Sequence, residues 1–254
     1  MALAPPSHEV LDFVARVAQA YAKLIAAPSA DRESGLGGRL FYAGEIDEEG
    51  RALVVAANIA GAATLVASAD PAAQKQAIRG SIVDFLVTSL DESLRILKNQ
   101  LRKHETVSVC AAIAPSAMER EMKERGVRPD LLRSDMDGGL HSGTGSPTLL
   151  TPVFLTWTIA AAPARWMPQL DVIALECLDT EDWAARRWLR LAARYLGRTS
   201  QATRALACSQ EAASRFTERI QERVKRGEIG VPIEIRWRDA RGHEEKHRLE
   251  LGKP

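Results

Sequence analysis

The chain has 254 residues, 46% hydrophobic and 26% charged, with 34 Lys plus Arg against 33 Asp plus Glu for a formal net charge of +1. That length carries one large domain or two small ones and buries a core without disulfide or metal staples. The composition excludes a disordered chain, and the charge balance argues against a dedicated nucleic-acid binder, whose affinity comes from neutralising several phosphates.

The first expected element is a helix entered at Pro6-Ser7, with Val10, Phe13, Val14, Val17, Tyr21, Leu24 and Ile25 at three-and-four spacing. A Ser- and Gly-rich loop from Pro28 to Gly38 leads to a short strand, Arg39–Ala43, ended by Gly44. Arg51–Gly61 is expected as a buried helix, Ala63–Ser68 as a strand, and Pro71–Arg79 as a short helix. Phe85–Val87 is the third strand candidate. Ser89 and Glu92 form a capping box ahead of a helix carrying Leu90, Leu94, Leu97 and Leu101. Thr106–Ala112 is a fourth strand, Pro115–Arg125 a helix stopped by Gly126, and Asp130–Ser134 a short fifth strand. Such alternation predicts an α/β fold, a Rossmann-like doubly wound, mostly parallel sheet.

The Gly/Ser-rich stretch Ser134–Pro147 marks a boundary or lid, giving domains 1–147 and 148–254. Strands are expected at Val153–Ile159 and Val172–Cys177. Helices follow, one capped by Thr180 and running to about Leu196, one capped by Ser209 and ending at Gly227. A hairpin of Ile233–Trp237 and His247–Leu251 turns through Asp239–Gly242. All five Trp lie between Trp157 and Trp237, so this α+β region has a core chemistry different from the Ala/Val-rich first half.

Cys110, Cys177 and Cys208 are sparse and set among apolar or small residues, as expected of buried thiols in a reducing compartment. The start MALAPPSHEV has no basic region and breaks at Pro5-Pro6, so it does not read as a signal peptide. No apolar run reaches about 18 residues, so no membrane span is expected and the expected location is the cytoplasm.

The run TSLDESLRILKNQLRKHETVSVCAA, followed by MKERGVRPDLL, resembles the dinucleotide-binding domain of urocanase (urocanate hydratase). The Gly44 turn after Leu-Phe-Tyr-Ala, NIAGAATL and EVLDFVARVAQAY are similar to their counterparts there, so the resemblance spans Glu9 to Arg133. It implies a tightly held NAD used as an electrophile toward an imidazole substrate, in a homodimeric enzyme of histidine degradation. The family's glycine-rich phosphate loop falls on Gly44–Gly50. Only Gly44 and Gly50 match, as cofactor-binding candidates, while Asp47, Glu48 and Glu49 take the close-approach positions. Two like charges about 4 Å apart cost on the order of 4 kcal/mol at an effective dielectric near 20. The ribose-binding carboxylate falls at Ser68, and the expected Asn-Ala pair at Ala114-Pro115. Thr148–Pro254 contains no counterpart of the catalytic core or of its cysteine motif. NAD is thus implied by resemblance, and the residues themselves assign no cofactor.

Other chemistry is sparse. Asp135, Asp137 and His141 follow the end of a strand, where open α/β sheets place ligands; Asp135 and His141 are the acid/base candidates against plain loop chemistry. His243 and His247 have i,i+4 spacing but sit in a charged hairpin, and no metal is assigned. Cys110 reads as a core thiol. The Arg-rich stripe from Arg215 to Arg226 is interleaved with Glu211, Glu218 and Glu222 as a solvated helix face. Arg186, Arg187, Arg190 and Arg194 with Trp183 and Trp188 offer a partner surface, a dimer interface being the preferred occupant.

Three functions remain open from the residues. One is a non-catalytic, urocanase-related module that binds a small ligand or protein partner as a homodimer. The second is an NAD-using lyase or hydratase with an altered site. The third is a phosphosugar-binding domain, which wants a Ser/Thr-rich phosphate loop that Glu45-Ile-Asp-Glu-Glu does not supply. Neither nucleic acid nor membrane is expected as a partner.

Overall fold

A computed structural model of the protein describes residues 8–137, 153–239 and 244–249. The chain divides into two compact units, Gln19–Thr144 and Met1–Ala18 with Gly145–Pro254, the division falling inside the first helix, α1 (His8–Ile25).

In the first unit strands and helices alternate as β1 (Leu40–Glu45), α2 (Glu48–Ala60), β2 (Ala63–Ala67), α3 (Pro71–Arg79), β3 (Phe85–Val87), α4 (Leu90–Lys103), β4 (Val107–Ala111), α5 (Pro115–Glu124), β5 (Leu131–Leu132) and α6 (Arg133–Asp137). The five strands form a parallel sheet in the order β3-β4-β2-β1-β5. Every residue of β2 and β4 is buried, as a parallel sheet covered on both faces requires. The order reverses at β1, which has β2 on one side and β5 on the other. The crevice beyond the carboxyl ends of β1 and β5 is therefore the place where such sheets take a ligand.

Local rules account for most element ends. The capping box of α4 forms with one shift. Ser89 Oγ accepts from Glu92 N–H at 3.3 Å, but the Glu92 carboxylate accepts from Thr88 N–H at 2.8 Å rather than from Ser89. That bond holds the Glu92 carboxyl below its ordinary range. Asp130 lengthens the two-residue strand β5. Its carboxylate accepts from Leu40 N–H at 2.8 Å, and its own N–H donates to the Leu40 carbonyl at 2.9 Å. The Arg-Pro-Asp segment thus holds the sheet edge together.

The second unit contains β6 (Val153–Ile159), α7 (Pro163–Cys177), α8 (Trp183–Leu196), β7 (Thr203–Cys208), α9 (Gln210–Lys225), β8 (Ile233–Arg238) and β9 (Glu244–Leu249). Its sheet is antiparallel, in the order β7-β6-β8-β9. Alternation along β6 buries Val153, Leu155, Trp157 and Ile159. Trp157 meets Phe216 of α9 with ring centroids 4.8 Å apart. No helix among the described residues is long and apolar enough to cross a membrane.

Four expectations need correction, and one strand is additional to those expected. Val172–Cys177 is the last part of α7, not a strand. Its buried residues Ile173, Ala174 and Cys177 follow helical spacing while Val172 is 53% exposed, and Pro168 inside the helix hid its true start. Thr203–Cys208, an Ala-containing segment with weak strand propensity, becomes β7 through its pairing with β6. Arg133–Asp137 is helical, which shortens both the expected fifth strand and the expected loop. Asp182, rather than Thr180, caps α8. Trp188 is core rather than partner surface: it is 3% exposed and its Nε1–H donates to the Ala205 carbonyl at 2.6 Å.

Helix α2 lies so close to the end of β1 that a Cβ built on Gly50 falls 1.9 Å from the Glu45 carbonyl oxygen. A glycine-to-alanine change inside a helix ordinarily stabilises by up to about 1 kcal/mol. At Gly50 the clash reverses that sign. Gly50→Ala is expected to lose on the order of 1–3 kcal/mol of stability, read as a lower midpoint in urea unfolding with an unchanged slope.

Candidate functional site at the carboxyl end of the parallel sheet

The site is built from the turns after β1 and β5. Pairing of β1 with β2 slips between Tyr42 and Glu45, where Gly44 takes φ +71. A bulge at this glycine bends the chain from strand into turn at a backbone angle that L side chains rarely adopt. Asp47 then caps α2: its Oδ1 accepts from Gly50 N–H at 2.7 Å and its carbonyl from Arg51 N–H at 3.0 Å. In a dinucleotide fold such N-terminal amides receive the diphosphate. Here the chain's own carboxylate takes one of them, and Glu48 and Glu49 add negative charge to the same turn.

Arg133, the first residue after β5, reaches across to this turn. Its Nη1 and Nη2 donate to Asp47 Oδ1 and Oδ2, each at 3.1 Å, and Nη2 also donates to Glu49 Oε2 at 2.8 Å. Nη1 lies 3.4 Å from the Glu45 carbonyl. The stem of the side chain passes over Gly44, whose Cβ would sit 3.4 Å from Arg133 Cδ. Partial burial works against the charge on the guanidinium, and the carboxylates of Asp47 and Glu49 more than offset it, so its pKa rises. The two-pronged match to Asp47 is the strong form of an Arg–carboxylate contact.

The neighbouring positions differ in their partners. Ser68, at the ribose position, is fully buried. Its Oγ accepts from Asp70 N–H at 3.2 Å and its carbonyl from the Gln74 amide at 2.7 Å. Ala114 caps α5 with no side-chain bond. The Tyr42 hydroxyl lies 3.4 Å from both the Pro115 carbonyl and Glu119 Oε1. Burial, followed by the Glu119 charge, pushes its pKa up. The NAD that the resemblance implies does not fit these residues: Gly44 and Gly50 keep the glycines of a phosphate loop, while the Asp47 carboxylate takes the Gly50 amide and the Arg133 side chain lies over Gly44.

Among the remaining candidates, Asp135 closes the β5–α6 turn by accepting from Leu132 N–H at 2.8 Å. His141 and His243 lie outside the described residues. His247, on β9, sits 3.3 Å from Glu245 Oε2. Among the described residues no group of three or more His, Cys, Asp or Glu side chains is placed to hold a metal. The stripe of α9 is cross-paired: Arg215 with Asp179 at 3.0 Å and Arg219 with Glu176 at 2.9 Å. Arg186 donates to the Leu175 and Leu178 carbonyls, closing the end of α7. Arg133 was not singled out from the sequence. The available signal was the run Asp47-Glu48-Glu49, three carboxylates that attract a cation to this turn.

Cys110 is fully buried, and burial followed by the Glu45 charge pushes its thiol up to about 11; burial likewise pushes Cys208 up to about 12. The thiolate is the reactive form. Iodoacetamide at pH 8 is therefore expected to label neither thiol in the folded protein within hours, and to label both in urea; rapid labelling of native Cys110 would contradict its placement.

Residues 17–142 match the family model described as the urocanase Rossmann-like domain. That span overlaps Glu9–Arg133 and contains the whole five-stranded sheet. This segment, just under half of the chain, is similar to a urocanase Rossmann-like domain.

Proposed function

We propose that the protein is a urocanase-related module that works by binding a small ligand or a protein partner, and that it lacks urocanate hydratase activity. The observation that carries this reading is the Asp47 carboxylate on the Gly50 amide at 2.7 Å, held by the Arg133 guanidinium. A dinucleotide enzyme needs that amide and that space for its cofactor. At the carboxyl end of the sheet Asp47, Glu49 and Arg133 are committed to one another, and Asp135, the acid/base candidate placed there, is tied to a backbone amide. Binding is then left to surfaces that such a domain presents without its cofactor. The family resemblance supports a homodimer. The free, buried state of Cys110, Cys177 and Cys208 supports a reducing compartment such as the cytoplasm.

The test uses the full-length protein purified without added nucleotide. Mass spectrometry of the denatured supernatant is expected to find no NAD, and urocanate absorbance is expected to stay constant when NAD and enzyme-level protein are added. Stoichiometric NAD, or turnover of urocanate, would replace this reading with that of an NAD-using lyase.

A further inference from the structure

We propose that Arg133 does in this domain the mechanical work that a bound diphosphate does in a dinucleotide domain. It ties the β1–α2 turn to the β5–α6 turn across the carboxyl end of the sheet. The inference rests on the binding-module reading above and says how that module is held in shape without a cofactor.

Three observations converge. The strand order reverses at β1, so the turns after β1 and β5 leave a crevice that no hydrogen-bond ladder closes beyond Leu132. A dinucleotide's phosphates bridge such a crevice by accepting from helix-terminal amides. In this chain Asp47 supplies the acceptor for the Gly50 amide, and Arg133 supplies the link from Asp47 and Glu49 to the other side. Finally, the Arg133 stem lies over Gly44, its Cδ within van der Waals contact (3.4 Å) of where a Cβ would sit, beside the glycine that in a dinucleotide fold faces phosphate. A latch of this kind is intramolecular and always present, whereas a ligand tie depends on ligand concentration. Latch and diphosphate are mutually exclusive occupants of one space.

Hydrogen exchange of the full chain, followed by mass spectrometry on peptides covering 44–51 and 131–137, tests the latch. The variants are Arg133→Gln, the double variant Asp47→Ser with Glu49→Gln, and all three changes together. Serine keeps the helix cap and removes only the partner of Arg133. Each of the first two is expected to speed exchange in both peptides by about tenfold, and the triple variant by no more than either, since all remove one coupled contact. Multiplying effects, or unchanged exchange in Arg133→Gln, would overturn the latch. Should Arg133→Gln not fold, wild-type protein in 1 M NaCl serves, because the screening length falls to about 3 Å there. Faster exchange confined to these peptides supports the latch, and no change overturns it. Millimolar inorganic pyrophosphate is expected to leave wild-type exchange unaltered, and protection of residues 44–51 would overturn the claim of exclusion. Failure of the latch leaves the absence of hydratase activity standing, and the NAD and urocanate assays judge that separately.

Discussion

The backbone contact between Gly50 and the Glu45 carbonyl sets the geometry of the whole carboxyl end of the parallel sheet. With no side chain at Gly50, α2 starts against the last residue of β1, and the bulge at Gly44 turns the chain to meet it. The first-turn amides of α2 are thereby aimed into the crevice beyond the strands. Helix ends leave such donors without intrahelical partners, so a side chain, a ligand or water supplies an acceptor. In a dinucleotide domain a ligand phosphate accepts from such amides; here Asp47 accepts from the Gly50 amide three residues downstream.

That substitution has electrostatic consequences. Asp47, Glu48 and Glu49 complement the positive end of the helix dipole and favour α2 by themselves. They also concentrate carboxylates at the mouth of the crevice. Arg133, with its side chain 22% exposed, balances two of them from the far side. Partly solvated ion pairs contribute on the order of 1 kcal/mol or less each, so the contact matters less for total stability than for geometry. It defines where the β5–α6 turn sits and fills the space next to Gly44. The turn after β1 combines the Gly44 bend and the close approach at Gly50 with the side chains of Asp47, Glu49 and Arg133.

The antiparallel unit is stabilised by different means. Aromatic volume fills it, with Trp157 against Phe216 and Trp188 hydrogen-bonded to the Ala205 carbonyl. An Arg204–Asp171 pair, 12% and 19% exposed, links β7 to α7 at 3.1 Å. Burial raises the Asp171 pKa against the pull of Arg204; a buried pair of this kind gives less net stability than its distance suggests. The arginines of α9 bond carboxylates and a carbonyl on the segment around residues 176–179, so their stripe packs elements together.

Local pattern alone determined most of the elements of the first unit. The alternation of short apolar strands with capped amphipathic helices, and the Thr88–Asp130 motif run, were legible because caps, periodicity and turn glycines act over three or four residues. Sequence also exposed the acidic replacement at Asp47–Glu49 in the phosphate loop. It misassigned Val172–Cys177, where a β-branched run obeys helical burial once packed, and it missed Thr203–Cys208, which is a strand because β6 pairs with it. Arg133 could not be read as the partner of Asp47. Eighty-six positions separate them, and only the order β2-β1-β5 brings the two turns together. Short-range rules are written along the chain; which charge meets which is decided by how the strands line up side by side.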